Sequence, residues 1–298
     1  MKRIHSSVLR WYKKHRRPFP WRTTRNPYRV LISEIMAQQT QISRVADFYS
    51  AWLKRFPSFK ALASASRADV LRQWSGLGYN NRAVRLHQLA KEITNRHRGK
   101  LPQTADELMA LPGIGKYTAH AVVCFAFGQS LPVVDVNVRR VLSRTVWNIR
   151  SSSEMKSENE IWNIAAALLP KNKASDWNQA LMDIGSQICT ARKPKCGECP
   201  LYRNCASAFS PAFAVKFRTL KKIEPHHNGT PRRLIRGKIL KTLYTGPKRF
   251  NDLLPLLNGN HAAAKRKFLR GVLALMENDG IIEMHGNGTS MRIALPET

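Results

Sequence analysis

"LPGIGKYTAHAV", Leu111 to Val122, sets two glycines around one isoleucine, then a lysine, a tyrosine and an apolar run at helical spacing. A helix that opens there carries unpaired N–H groups and a partial positive charge at its start. Glycines let an anion approach such a backbone closely. The turn lies between two helical segments rather than after a strand, so it is neither a Walker loop nor a dinucleotide-binding turn. Taken alone, it reads equally as a tight corner between helices.

Charge favours the anion. Fifty Lys and Arg against nineteen Asp and Glu give +31 over 298 residues. A basic excess this large points to a polyanion, the alternative being a solvated surface. A membrane surface fits less well, because no basic amphipathic anchor helix is evident. No apolar run reaches about 18 residues, the length needed to span a bilayer. The N-terminal "MKRIHSSVLRWYKKHRR" is too polar for a signal peptide, so a cytoplasmic protein is expected. Against this charge, the Gly113–Gly115 turn reads as a helix-hairpin-helix that grips a nucleic-acid backbone without reading bases.

The length suits one large domain and one small one, and 43% hydrophobic residues can fill a core. The first two thirds read as helices joined by short turns. Pro27 suits a first helical turn, and "YRVLISEIMAQQ" follows. Ala83, Leu86, Leu89 and Ile93 keep helical spacing after the break "SGLGY", Ser75–Tyr79. Residues 209–231, with Pro211, Pro225, "HHNG" and Pro231, read as a linker. Beyond it, Ile235, Ile239 and Leu243 mark one helix, "FNDLLPLL" a short second, and Leu269, Val272, Leu273 and Met276 a third. "DGIIEMHGNGTSMRIAL" then reads as strand, turn, strand, which completes the outline of a winged helix over 232–298.

Four of the five cysteines, Cys189, Cys196, Cys199 and Cys205, stand at C-x6-C-x2-C-x5-C. Disulfides do not suit the expected compartment. Four thiolates serve a tetrahedral zinc or a [4Fe–4S] cube; a single C-x2-C pair favours the cube, since zinc sites usually pair two such knuckles. Cys124, inside an apolar helical pattern, reads as a buried core thiol.

Two acids stand in unusual places. Glu34 sits within the apolar "LISEIMAQQ", where burial would raise its pKa, unless it lies on a polar face. Asp135 follows the apolar run of "LPVVDVNVRRVL" just before a helix, where an ordinary N-cap would also stand.

"FPWRTTRNPYRVLISEIMAQQTQ", "GLGY", "LPGIGKYTAHAV", "VVDVNVRRVLSR" and the four-cysteine loop, in this order, resemble the helix-hairpin-helix DNA glycosylases, and within them the MutY-type adenine DNA glycosylases. The resemblance covers residues 5–208. It implies a mainly α fold of two helical subdomains with a cleft between them, residues 1–208, and a [4Fe–4S] loop at 189–205. It places the catalytic acid on Glu34, its partner aspartate on Asp135 and a neighbouring asparagine on Asn137. It puts DNA contacts on Gln38, Gln39 and Thr40, a wedge on Tyr79, and backbone contacts on Gly113, Gly115 and Lys116. Bifunctional relatives carry a lysine nucleophile where Tyr117 stands; Lys116, turned about 100° away on the helix, cannot replace it. The resemblance therefore implies a monofunctional enzyme with Tyr117 lining the pocket. It further implies base flipping from double-stranded DNA, adenine excision opposite 8-oxoguanine or guanine, and action as a monomer.

Two departures stand out. Residues 232–298 do not look like the Nudix-like C-terminal domain of typical members, and Asn80 stands where a second tyrosine often does. The rival readings are a thymine or uracil glycosylase at G mismatches, which "QQTQ" disfavours, and a non-enzymatic iron–sulfur regulator, which the two acids disfavour.

Overall fold

The computed structural model describes residues 2–147, 156–210, 224–288 and 290–297. Along the chain the helices are α1 (Lys2–His15), α2 (Pro27–Ala37), α3 (Ile42–Arg55), α4 (Phe59–Ala63), α5 (Arg67–Gln73), α6 (Asn81–Arg96), α7 (Ala105–Met109), α8 (Lys116–Phe125), α9 (Val136–Trp147), α10 (Glu158–Ala167) and α11 (Ala174–Gln187). After them come strands β1 (His226–His227) and β2 (Thr230–Pro231), then α12 (Arg232–Leu243), β3 (Lys248–Arg249), α13 (Phe250–Leu253), α14 (Ala262–Asn278), β4 (Glu283–His285) and β5 (Arg292–Ala294). The chain divides into two compact units. One is Met1–Glu34 with Pro102–Ala110 and Ile114–Leu220; the other is Ile35–Leu101 with Leu111–Gly113 and Lys221–Thr298.

In the first unit, helical spacing on α1 puts Val8 and Tyr12 into a core with Val138, Val141 and Leu142 of α9 and Trp177, Leu181 and Ile184 of α11. Tyr12 Oη donates to Gln179 Oε1 at 2.6 Å. Asp183, fully buried on α11, accepts from Arg17 Nε at 2.7 Å and Arg22 Nη1 at 2.6 Å, which fixes the loop after α1. A reciprocal cap between Ser157 and Glu160 starts α10.

The second unit is built on aromatic packing: Trp52 meets Phe56 at 5.0 Å and Trp74 at 5.3 Å, both edge to face. Ser58 and Ser66 cap α4 and α5 through side-chain bonds to Ala61 and Asp69 N–H. Leu86, Leu89 and Ile93 of α6 are buried as their spacing predicts.

The C-terminal elements follow the winged-helix order. Their sheet runs β3–β5–β4, antiparallel throughout. They belong to the second unit and are seated on α5: Ala68 N–H donates to Pro296 O at 3.0 Å, and Tyr244 Oη to Leu71 O at 3.1 Å. The stretch read as a linker ends differently. Its last residues form the β1–β2 hairpin, turned by Asn228 and Gly229, both at positive φ. An Asn-Gly pair is a strong hairpin signal. The rest of that stretch, 211–223, lies outside the described residues, as does Thr289 in the "HGNGTS" turn.

Candidate active site and cluster loop

Asn26 opens α2, its carbonyl accepting from Val30 N–H and its side chain from Arg29 N–H. From Val30 to Met36 every residue of α2 is buried, so the helix has no polar face there and Glu34 is 9% exposed. A surface Glu34 is thereby excluded. Gly115 forms the N-cap of α8 and places Tyr117 in its first turn, where Tyr117 Oη donates to Glu34 Oε2 at 2.5 Å. Burial pushes Glu34 up to about 7; the Tyr117 bond and Arg22 oppose this, and Asp135 adds to it. Burial and the facing acid hold the Tyr117 phenol well above its ordinary range, so it remains a donor.

Asp135 stands just before α9 and is an N-cap: its Oδ1 accepts from Val138 N–H at 2.7 Å. Its Oδ2 accepts from Asn137 Nδ2 at 2.9 Å. Two bonds fix the carboxylate's direction, and the cap reading and a chemical role are compatible. Gly185 of α11 makes the packing possible, since a Cβ there would lie 2.7 Å from Asn137 Cβ. Glu34, Tyr117, Asp135 and Asn137 all belong to the first unit.

Gln38, Gln39, Thr40 and Tyr79 belong to the second. Gln39 and Tyr79 are exposed and both have positive φ, +55° and +47°. Non-glycine residues hold that conformation only where the surroundings enforce it. Arg82 supplies the enforcement. Its Nη1 donates to the carbonyls of Ile35 (2.8 Å), Met36 (3.0 Å) and Gln38 (2.6 Å), and its Nη2 to Thr40 Oγ1 (3.0 Å) and Gly78 O (3.1 Å). The same guanidinium lies over the rings of Trp74 and Tyr79. One buried side chain thus clips the Gln38–Thr40 turn to the loop bearing Tyr79.

In the hairpin between α7 and α8, Gly113 has φ +78°, and a Cβ there would press to 3.0 Å on Arg85 Cβ. Gly115 has open space instead, with no atom within 4 Å of a Cβ. Lys116 is exposed, its Nζ 4.4 Å from the Trp162 ring centroid.

Cys189, Cys196, Cys199 and Cys205 line one pocket with Val141, Arg144 and Leu201, and none is in a disulfide. Among the described residues no three His, Cys, Asp or Glu side chains are grouped for a single metal ion. Four soft sulfur donors round one pocket fit an iron–sulfur group, as they would a tetrahedral zinc. Burial raises the Cys199 thiol to about 11 and also raises Cys205, so a metal must draw off their protons to bind. Buried Arg144 donates to Thr190 O and Ala191 O, and its Nη1 lies 3.4 Å from Cys189 Sγ. Arg140 Nε donates to Cys189 O at 2.7 Å and its Nη2 to Asn137 Oδ1 at 2.9 Å, so one side chain touches the loop and the Asp135–Asn137 pair.

Sequence reasoning missed Arg82, Arg140 and Asp183. The signal for two of them was present: Arg82 falls on the Leu86, Leu89, Ile93 stripe, and Asp183 beside Ala180 and Ile184. A charge on an apolar stripe is a buried charge that needs partners. It also missed the Tyr117–Glu34 bond, having read Tyr117 only as pocket lining.

Known proteins resemble this chain in sequence and fold. Residues 32–167 match the HhH-GPD superfamily base excision DNA repair protein model, and residues 189–205 match the iron-sulfur binding domain of endonuclease III. An adenine DNA glycosylase of Mycolicibacterium smegmatis is 43% identical over 238 residues, 79% of this chain and 78% of that one. The adenine DNA glycosylase of Homo sapiens is 38% identical over 211 residues, 68% of this chain and 39% of its own length. A thermostable thymine-DNA glycosylase of solved structure is 34% identical with a TM-score of 0.64, covering 70% of this chain and 97% of that one. The chain belongs to the adenine DNA glycosylases of the HhH-GPD superfamily. Its cysteine loop is an iron–sulfur binding domain, and the matched superfamily is one of base excision DNA repair proteins. Among the described residues no helix is long and apolar enough to cross a membrane.

Proposed function

We propose that this chain is a monofunctional glycosylase that removes adenine from double-stranded DNA where it is mispaired with 8-oxoguanine or guanine. The observation that carries the reading is Glu34, a buried carboxyl lifted to about 7 and held by Tyr117, with Asp135 acting on it electrostatically. Adenine leaves poorly until a ring nitrogen is protonated. Glu34 gives up that proton as the bond from the base to C1′ breaks. Positive charge then develops on the sugar, and the oriented Asp135 carboxylate stabilises it, with Asn137 holding Asp135 in place. Water completes the hydrolysis. Two carboxyls in different surroundings thereby take different roles.

Gln38, Gln39 and Thr40 contact the DNA stack, Tyr79 fills the gap left by the flipped base, and Gly113, Gly115 and Lys116 grip phosphate. Cys189, Cys196, Cys199 and Cys205 hold the [4Fe–4S] cluster, which supplies structural order to a loop carrying Arg192, Lys193, Lys195 and Arg203. Residues 1–208 form the glycosylase domain and 232–298 a winged-helix module that follows 209–231 and is seated on α5. The protein works as a monomer in the cytoplasm, on the nucleoid.

The thymine-DNA glycosylase at 34% identity motivates the second reading, removal of thymine or uracil opposite guanine. One experiment separates them: duplexes with A·8-oxoG, A·G, A·C, T·G and U·G are incubated with purified protein and then treated with alkali. Cleavage at adenine that appears only after alkali is expected. Excision confined to T·G and U·G, or efficient borohydride trapping of a covalent adduct, overturns the proposal.

A further inference from the structure

The C-terminal elements carry charge that folding does not explain. In the sheet, Arg249 stands directly opposite Arg292, and Arg292 directly opposite His285. Strand alternation sends Ile293 inward, fully buried, and turns this row outward, where all three side chains are exposed. Like charges placed directly opposite each other oppose strand pairing. A second basic group stands on α14. Phe250 N–H donates to Met291 O at 2.9 Å, and the Arg270 guanidinium lies 5.8 Å from the Phe250 ring. Arg266 and Lys267, four and three residues before Arg270, share its exposed face.

Of the acids nearby, Glu224 pairs with Arg233 and Asp279 with Arg236, Glu283 lies 3.7 Å from His285, and Asp252 accepts from the Arg249 backbone N–H at 2.9 Å. Among the described residues, Arg249, Arg266, Lys267, Arg270 and Arg292 have no acidic side chain within ion-pair distance. The module is also held in place by the Ala68–Pro296 and Tyr244–Leu71 bonds, so the patch is a fixed surface of its unit.

We propose that Arg249, Arg292, Arg266, Lys267 and Arg270 form a second duplex-DNA site that grips phosphates without reading bases. Guanidinium groups suit phosphate oxygens. The proposal rests on DNA binding alone and does not depend on which base is excised.

The test uses the full chain and an undamaged duplex, with affinity followed by fluorescence anisotropy over a salt series. Each phosphate contact contributes about −0.9 to the slope of log K against log salt. R249Q/R292Q is expected to make the slope shallower by roughly two units on that relation. R266Q/K267Q is expected to do the same through an exposed helix face that leaves the sheet untouched, while R249K/R292K keeps the parent slope. K238Q/K241Q, which removes equal charge from exposed α12 positions, is expected to leave the slope unchanged. The ratio of affinities for A·8-oxoG and A·G duplexes stays constant across the series. Unchanged slopes in both Gln pairs on the patch overturn the site. So does an equal change in K238Q/K241Q, which would mean general charge. A collapsed A·8-oxoG to A·G ratio at constant slope would mean that the module reads the opposite base instead.

Discussion

Each unit buries an ionisable side chain in an apolar helix, and the two are treated in opposite ways. Glu34, on α2, takes one side-chain hydrogen bond, from Tyr117, and burial lifts it to about 7. Arg82, on α6, makes six hydrogen bonds through its two terminal nitrogens; burial lowers it only to about 10, so it stays charged. A buried charge surrounded by acceptors is scaffold, because its loss takes a donor from several buried carbonyls at once. A buried acid with one donor is poised to exchange a proton near neutral pH. The number of partners, more than burial itself, separates a chemical group from a structural one.

The largest effect should come from Glu34→Gln. The amide keeps the shape and can still accept from Tyr117, but it cannot deliver a proton. Single-turnover excision is expected to fall by roughly two orders of magnitude or more, with duplex affinity retained. Activity within about threefold of the parent would remove Glu34 from the chemistry. The pH profile carries the same signature. Because the folded value is raised, the protonated acid and the stability tied to it are whole at low pH and are lost as pH rises through about 7. Excision should therefore fall above neutrality, and Glu34→Gln should flatten that limb.

Arg82→Lys comes next and tests the other half of the contrast. A lysine supplies three donors and no planar fork, so several carbonyls between Ile35 and Gly78 lose their partner. A loss of roughly 2–4 kcal/mol in stability is expected from those orphaned acceptors. Gln39 and Tyr79 should also relax from their left-handed backbone, which weakens binding to mispaired duplex. The descending pH limb, set by Glu34, should stay where it was. A moved limb would show that the two sites are not separable in this way.

Tyr117→Phe acts on a single hydrogen bond. That bond favours the charged carboxylate, so its removal raises Glu34 further and shifts the descending limb to higher pH. The rate at neutral pH should change only a few-fold, the scale of one hydrogen bond of about 1 kcal/mol. A limb that moves to lower pH would mean that Tyr117 supports the protonated form.

Most of the fold was legible because its determinants are local. Helical spacing on α6 and α14, the Gly-Asn-Gly turn and the spacing of the cysteines each lie within a few residues. Glu34 stood out for the same reason, as an acid among apolar neighbours. What could not be read is what depends on contacts distant in sequence. Arg82 reaches back 42–47 residues to the stretch from Ile35 to Thr40, Arg140 forward 49 to Cys189, and Tyr117 back 83 to Glu34. The Asn228–Gly229 hairpin was a different failure. Its turn signal is short-range, but the surrounding prolines and basic residues drew it into the linker.

The smallest expected effect distinguishes the two glycines that opened the question. Both flank Ile114, yet only one is confined by its own fold. Gly113 has φ +78° and faces Arg85 at 3.0 Å from any added Cβ, so Gly113→Ala should cost stability by more than the usual gain of about 0.4–1 kcal/mol for Gly→Ala. Gly115 has φ −97° and open space around it. In the free protein Gly115→Ala should therefore leave the thermal midpoint unchanged or raise it slightly. If a phosphate approaches the α8 N-terminus, that open space is where it sits, and a methyl group there pushes it away from the N–H groups. Duplex affinity should weaken by a few-fold, in the range of one neutral hydrogen bond of about 0.5–1.5 kcal/mol. Thermal melting and anisotropy on the same preparation check both halves. A Gly115→Ala protein that melts normally and binds duplex as tightly as the parent would make the hairpin a corner between helices and not a grip on the backbone.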